Sequence, residues 1–167
     1  GTWAQEPDDG TYSNGKWVIV QNNSNSGGHD KILYSTNDGA NWQNIADNAT
    51  HNSLFGGTST YWYDVVGGAN GTFMTVCGQY AAVSCIAKSD DGINWRANNG
   101  DCDWLSPGEK PKIRMRGVDT DGNGTWVASS TNGFDENTGT SNTAPKLIVS
   151  LDNGENWKEC ILPAEVG

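Results

Sequence analysis

Arg114 and Arg116 are the first residues to consider for chemistry. They flank Met115 in an apolar segment, and two guanidiniums so placed could clamp a carboxylate. Their ordinary use would be ion pairing with an acidic surface. Tyr61, Trp62 and Tyr63 form an aromatic run that could stack on a sugar or another flat ligand. Alternation along a strand turns at least one of the three inward, so core packing competes with that role. Trp104, in a loop, is a second stacking candidate. Asp101, Asp103, Glu109, Asp135 and Glu136 could supply the two facing carboxylates that glycoside hydrolysis needs, but no motif pairs them. Asp119, Asp121 and Asn123 set oxygen ligands at alternate positions, as in a calcium loop. Val127 and Ser130 stand where that loop would need its last ligands, which favours a polar hairpin turn. Calcium is thus the one cofactor the sequence offers. His29 and His51 have no metal spacing and no nucleophile beside them.

These side chains need elements to hold them. The chain has 167 residues, enough for a real core, and is rich in Gly, Asn, Ser and Thr. Its apolar residues come in short bursts, the composition of an all-β protein with many turns. The net charge of −10 repels phosphate backbones and anionic membranes, so neither nucleic acid nor membrane is an expected partner. No apolar stretch approaches the roughly 18 residues of a membrane helix. An even number of cysteines in a lysine-poor, turn-rich chain points to disulfides and to a secreted, periplasmic or cell-surface setting. The first residue is Gly1, which suggests a trimmed N-terminus.

Internal repetition decides the fold class. Asn-Gly followed by an apolar strand occurs at Asn14, Asn70 and Asn123. Asn-Gly is a strong hairpin signal because both residues tolerate positive φ. A second element follows each copy, with Gly three residues before Trp every time: Gly39 and Trp42, Gly92 and Trp95, Gly154 and Trp157. The polar positions ahead of the glycines are Ser35 and Asn37, then Lys88 and Asp90, then Ser150 and Asp152. The acid can accept N–H groups of its own turn, Gly takes a conformation closed to other residues, and Trp buries a large ring. These residues read as turn locks and core.

The pattern Ser-x-Asp-x-Gly-x-x-Trp resembles the Asp-box (BNR-like) repeat of sialidases, sortilin-type receptors and many secreted β-propellers. The third copy matches it fully; the first has Asn37 for Asp, and the second has Lys88 for Ser. The resemblance implies four-stranded antiparallel blades, here three: about residues 1–50, 51–105 and 106–167 of a single domain. Blade 2 would have strands over 61–66, 72–77 and 83–88 and from 95; blade 3 over 114–119, 125–130, 146–150 and 157–162. Blade 1 would have its inner strand within 2–11, where Pro7 and Gly10 make a poor strand. Tight Asn-Gly turns and box turns would lie on one face. The long loops 22–30, 45–60, 78–82, 98–112 and 131–145 would lie on the other, where function is expected.

Cys77 and Cys85 could face one another in a hairpin and form a disulfide, leaving Cys102 and Cys160 to pair. Rings usually need four or more blades, so three leave exposed end faces. A homodimer making a six-bladed ring, or the remainder of a longer chain, would cover them; a β-trefoil is the alternative closed fold. The expected function is that of a non-catalytic module binding carbohydrate or protein through the long-loop face. The alternative is a sialidase-like or xyloglucanase-like glycosidase. Against a sialidase, the chain has three arginines in total, one of them Arg96 on an outer strand, and lacks that family's Arg-Ile-Pro signature.

Overall fold

A computed structural model describes residues 7–21, 31–45, 61–78, 84–98, 100–103, 105–107, 109, 113–135 and 140–161. Trp104, His29, His51 and Glu136 lie outside the described residues, as do most of the predicted long loops. No helix among the described residues is long and apolar enough to cross a membrane.

The first sheet comprises β1 (Asp9–Ser13), β2 (Lys16–Gln21), β3 (Lys31–Ser35) and β4 (Gln43–Asn44), paired in chain order. The second comprises β5 (Trp62–Gly67), β6 (Phe73–Cys77), β7 (Ile86–Ser89) and β8 (Trp95–Ala97), in the same order. The third contains β9 (Ile113–Thr120), β10 (Trp126–Asp135), β11 (Thr140–Thr143), β12 (Leu147–Ser150) and β13 (Lys158–Glu159). There β9, β10, β12 and β13 repeat the four-stranded path, and β11 is an extra strand on β10. Three separate antiparallel sheets of this topology are propeller blades and exclude the β-trefoil.

Strand pairing puts the blades in register. Tyr12 faces Trp17, Gly67 faces Phe73, and Thr120 faces Trp126. Counting inward from these pairs, Asp9, Asp64 and Gly117 are equivalent, opposite Val20, Val76 and Ser129. Each blade has a head face turned to the preceding blade and a tail face turned to the following one. The head carries the Trp17, Phe73 and Trp126 position; the tail carries Val18, Met74 and Val127.

The blade 1 inner strand runs over Asp9–Ser13, later than expected. Its Gly10 is accommodated at an exposed position beside Ile19. Within the stretch 131–145, expected as irregular loop, residues 131–135 prolong β10 and Thr140–Thr143 form β11, with Gly133 opposite Thr143 and Asp135 opposite Thr140. Backbone pairing builds this hairpin without any apolar alternation to announce it. The Asn-Gly turns also differ. Only Asn14 and Gly15 form a two-residue turn, with φ of 47° and 76°. In the other blades the strands separate earlier, and Gly71, Gly122 and Gly124 supply the positive φ within longer turns.

The box turns lock as their chemistry requires. Asp152 Oδ1 accepts the Ser150 hydroxyl at 2.8 Å and the Asn156 N–H at 2.9 Å, while Ser150 Oγ accepts the Gly154 N–H. Asn37 does the same with its amide oxygen, accepting from Ser35 and from the Asn41 N–H. The second turn corrects the predicted register: the lock is Ser89 and Asp91, not Lys88 and Asp90. Asp91 Oδ1 accepts the Ser89 hydroxyl and the N–H groups of Ile93 and Asn94, and Gly92 N–H bonds Ser89 Oγ at 2.8 Å. This turn is one residue shorter, because it lacks the left-handed residue that Asp38 and Asn153 provide before the other glycines. Lys88 is instead buried in β7, ion-paired to Glu155 at 2.6 Å.

The structure holds no disulfide between Cys77 and Cys85 or between Cys102 and Cys160, contrary to expectation. Cys77 lies opposite Cys85, its N–H bonded to the Cys85 carbonyl, but Cys77 Sγ is directed to the Ser84 carbonyl. Cys102 forms a bridge with Trp157, three residues from Cys160 along the outer strand. That offset is about 10 Å, beyond disulfide reach.

The corrected lock gives a direct test. Asp91→Ala removes three hydrogen-bond partners and should cost about 1–3 kcal/mol of stability in chemical denaturation. Asp90→Ala removes an exposed carboxylate 3.6 Å from Lys88 Nζ and should change stability by less than about 0.5 kcal/mol. Equal losses for the two variants would show the register to be wrong.

Candidate functional site

The inner strands carry the functional geometry. In blade 1 both Asp8 and Asp9 meet Val20: Asp9 is its paired residue, and the Asp8 N–H bonds the Val20 carbonyl at 3.0 Å. In β5 the register slips between Trp62 and Asp64, leaving Tyr63 as an extra residue. In β9 it slips between Met115 and Gly117, leaving Arg116 as an extra residue. The bulges of blades 2 and 3 therefore fall at one equivalent point, and Asp8 stands at the corresponding place in blade 1. A bulge re-aims its extra side chain. Asp8, Tyr63 and Arg116 thus occupy equivalent places on the three inner strands.

Blade packing brings two of them into contact. The Arg116 guanidinium carbon lies 3.7 Å from the centre of the Tyr63 ring, a cation–π stack. The ring is held from below by Gly78, where a Cβ would collide with Tyr63 Cε2. Arg116 is otherwise exposed, so its N–H donors face solvent over an aromatic plate.

The next inner position carries a second repeat. Asp9 Oδ2 accepts the Val65 N–H at 2.9 Å, and Asp64 Oδ2 accepts the Val118 N–H at 2.8 Å. Each carboxylate thereby caps the inner strand of the following blade. Asp64 also hydrogen-bonds Asp9. Partial burial first, and then that bond, push Asp64 up to about 6, against the opposing pull of the Val118 N–H. In blade 3 the equivalent residue is Gly117. Beside it opens a cleft of about 470 Å³, lined by Asp64, Val66, residues 117–119 and 127–129, and Leu147.

The predicted site residues divide accordingly. Tyr63 and Arg116 are together at the bulge. Tyr61, just before β5, and Arg114, on β9, are half-buried. Trp62 is fully buried and belongs to the core, as alternation allowed. Arg96 is an ordinary ion-pair partner, 2.6 Å from Glu155. The calcium candidate is a turn lock: Asp121 Oδ1 accepts the N–H groups of Asn123 and Thr125, and Asp119 accepts the Thr120 N–H. Among the described residues no cluster of three or more His, Cys, Asp or Glu could hold a metal ion. Asp8, Asp9 and Asp64 were missed. The signal available was an aspartate shortly before two of the Asn-Gly turns, obscured because those turns differ in length.

The Asp9–Asp64 contact predicts a pH dependence. Asp64 is raised above its ordinary carboxylate value, so folding favours its protonated form. The stability it contributes is full below about pH 4 and is lost as pH rises through about 6. Asp64→Asn keeps an acceptor for Val118 and a donor for Asp9 without the titration. Its melting temperature should therefore rise relative to wild type between pH 5 and pH 7. A difference that stays constant across that interval would refute the coupling.

No protein-family model matches this sequence, and neither does any curated protein. Solved structures do resemble it. YCF48 bound to a D1 peptide aligns at 15% identity with a TM-score of 0.52, over 96% of this chain and 40% of that one. YCF48 from Cyanidioschyzon merolae aligns at 14% identity and TM-score 0.49, over 93% and 43%. A candidate glycosidase from Bacteroides thetaiotaomicron aligns at 15% identity and TM-score 0.50, over 96% and 51%. This chain thus spans about half or less of the length of each. The likeness supports the propeller fold.

Proposed function

We propose that this chain is a non-catalytic propeller module, of the Asp-box kind, that binds a protein segment at the axis mouth on its long-loop face. The observation carrying the proposal is the Arg116–Tyr63 stack, presented to solvent by two equivalent bulges. A guanidinium lying flat on an aromatic ring keeps in-plane donors for a carboxylate or a backbone carbonyl, while the ring edge offers apolar contact. One propeller with a similar fold is described bound to a peptide, which makes this ligand class a natural first choice.

The glycosidase reading lacks comparable support. Asp9 and Asp64 are in hydrogen-bond contact, whereas retaining glycosidases hold their carboxyl groups about 5–5.5 Å apart and inverting ones farther. The acidity and low lysine content suit a secreted or cell-surface setting. Completion of the ring, by a second copy or by further blades, belongs to the same reading, because the chain supplies three blades.

Parallel peptide and glycan arrays test the function. Binding to acidic or extended peptides is expected, reduced at least about tenfold by Arg116→Ala and by Tyr63→Ala, with melting temperatures within a few degrees of wild type. Hits confined to glycans, or peptide binding indifferent to both substitutions, would overturn the proposal.

A further inference from the structure

Asn14, Asn70, Asn123 and Asn153 each precede a glycine. The same step at Asn132 lies within β10, and Asn99 lies outside the described residues. An asparagine before glycine can react with its own backbone. The glycine nitrogen, with no side chain beside it, can approach the asparagine side-chain carbon. The reaction needs a loose amide, an unengaged glycine N–H and a backbone able to rotate out of its turn. The structure treats these sites very differently.

Asn153 is held on both polar atoms of its amide. Its Oδ1 accepts from Trp126 Nε1 at 3.1 Å and from Asn70 Nδ2 at 3.2 Å, and its Nδ2 donates to Thr72 Oγ1 at 3.1 Å. The Gly154 N–H is engaged by Ser150 Oγ at 2.9 Å. Asn70 is the other half of that clasp. Its Oδ1 accepts the Thr72 N–H at 3.1 Å, and the Gly71 N–H bonds the Gly68 carbonyl at 3.1 Å. At Asn123 the Asp121 carboxylate grips the backbone on both sides, accepting the Asn123 N–H at 2.7 Å and the Thr125 N–H at 3.0 Å. The Gly124 carbonyl accepts the Asn153 N–H at 2.8 Å.

Asn14 has none of these restraints. It is exposed, and neither its side chain nor the Gly15 N–H has a hydrogen-bond partner among the described residues. Its amide lies against Gly71, where a Cβ would stand 2.7 Å from Nδ2. A Cβ on Gly15 would meet nothing within 4 Å beyond its chain neighbours. The reason lies in the box turns. Asn70 is clasped by Asn153, the left-handed residue before Gly154. The shorter box turn of blade 2 has no such residue before Gly92, so no amide from that turn clasps Asn14.

We propose that Asn14 is a deamidation site, where the folded chain converts itself to an isoaspartyl form. The Gly15 nitrogen attacks Asn14 Cγ. The N–Cγ bond forms, the Cγ–Nδ2 bond breaks, and ammonia leaves with the proton of the Gly15 N–H. Water then opens the cyclic imide at one of its two carbonyls, leaving aspartate or β-linked isoaspartate at position 14. Either product puts a carboxylate beside Gly71, at the seam of blades 1 and 2. The isoaspartyl product also adds a methylene to the backbone of a two-residue turn. The strand that turn closes, β1, delivers Asp9, Thr11 and Ser13 to blade 2. The modification therefore loosens that junction.

Peptide mapping by mass spectrometry tests the site. The 167-residue chain is aged at mildly alkaline pH, folded and, in parallel, unfolded in urea. Each deamidation is read as a gain of about 1 Da. The ratio of folded to unfolded rate should be at least about tenfold higher at Asn14 than at Asn70, Asn123 or Asn153. Asn153→Gly keeps the left-handed backbone and removes the clasp. It should raise the ratio at Asn70 severalfold and leave that at Asn14 unchanged. The isoaspartyl fraction of aged wild type should melt below both the unmodified chain and Asn14→Asp. A ratio at any of the other three sites that matches Asn14, or an Asn70 ratio indifferent to Asn153→Gly in a folded variant, would overturn the proposal. The wild-type ratios decide it by themselves if that variant does not fold. An isoaspartyl fraction melting with the unmodified chain would overturn the effect on the junction.

Discussion

A four-stranded antiparallel sheet with apolar side chains on both faces cannot exist alone in water. Everything in this protein follows from how one blade covers the next. Burial of one ring such as Phe73 or Trp126 is worth about 1.5–3 kcal/mol, and it is realised only at a junction. The box turn makes that junction specific. Its Ser–Asp lock satisfies the turn's own N–H groups, which frees the glycine to pack without a side chain against the neighbouring blade. The same turn then delivers Asn153 and Glu155 to polar partners across the gap. Turn chemistry and blade packing are therefore one device.

The inner strands face a different constraint. Their axis-side N–H groups have no further strand to pair with, and unmet buried donors are costly. The chain answers with side chains from the preceding blade: Asp9 on Val65, Thr11 on Gly67, and Asp64 on Val118. Partial burial of Asp64, and then the hydrogen bond it shares with Asp9, make it hold its proton more tightly than an exposed aspartate. The bulge one residue earlier has the complementary effect. It turns Tyr63 and Arg116 away from the sheet and toward the opening.

Much of this was legible in the residues. Gly39, Gly92 and Gly154 at a constant distance before Trp, coupled to Asn-Gly turns, required repeated sheets, and the repeated sheets are present. The failures have a common cause. A repeat read by letters assumes equal lengths, whereas hydrogen bonding tolerates a missing or an added residue. The second box turn omits one residue, so its acid is Asp91 although Asp90 aligns by position. The a–b turns of blades 2 and 3 are longer than that of blade 1, which hid the equivalence of Asp9 and Asp64. The strand Thr140–Thr143 was invisible because backbone pairing to β10 builds a polar strand that has no apolar period.

The third blade shows what a lapse in the repeat can do. At the position where Asp9 and Asp64 cap the next inner strand, Gly117 carries no side chain. A carboxylate there would occupy the space between Asp64 and Ser129 Oγ, which lies 3.2 Å from where the Cβ would stand. Glycine instead leaves the cleft open, beside the strand whose bulge presents Arg116. The capping aspartate of the other two blades is thus missing here. Its absence falls at the one blade where aromatic plate, guanidinium and cleft adjoin. The scaffold is regular where blades must hold together and irregular where a ligand would have to enter.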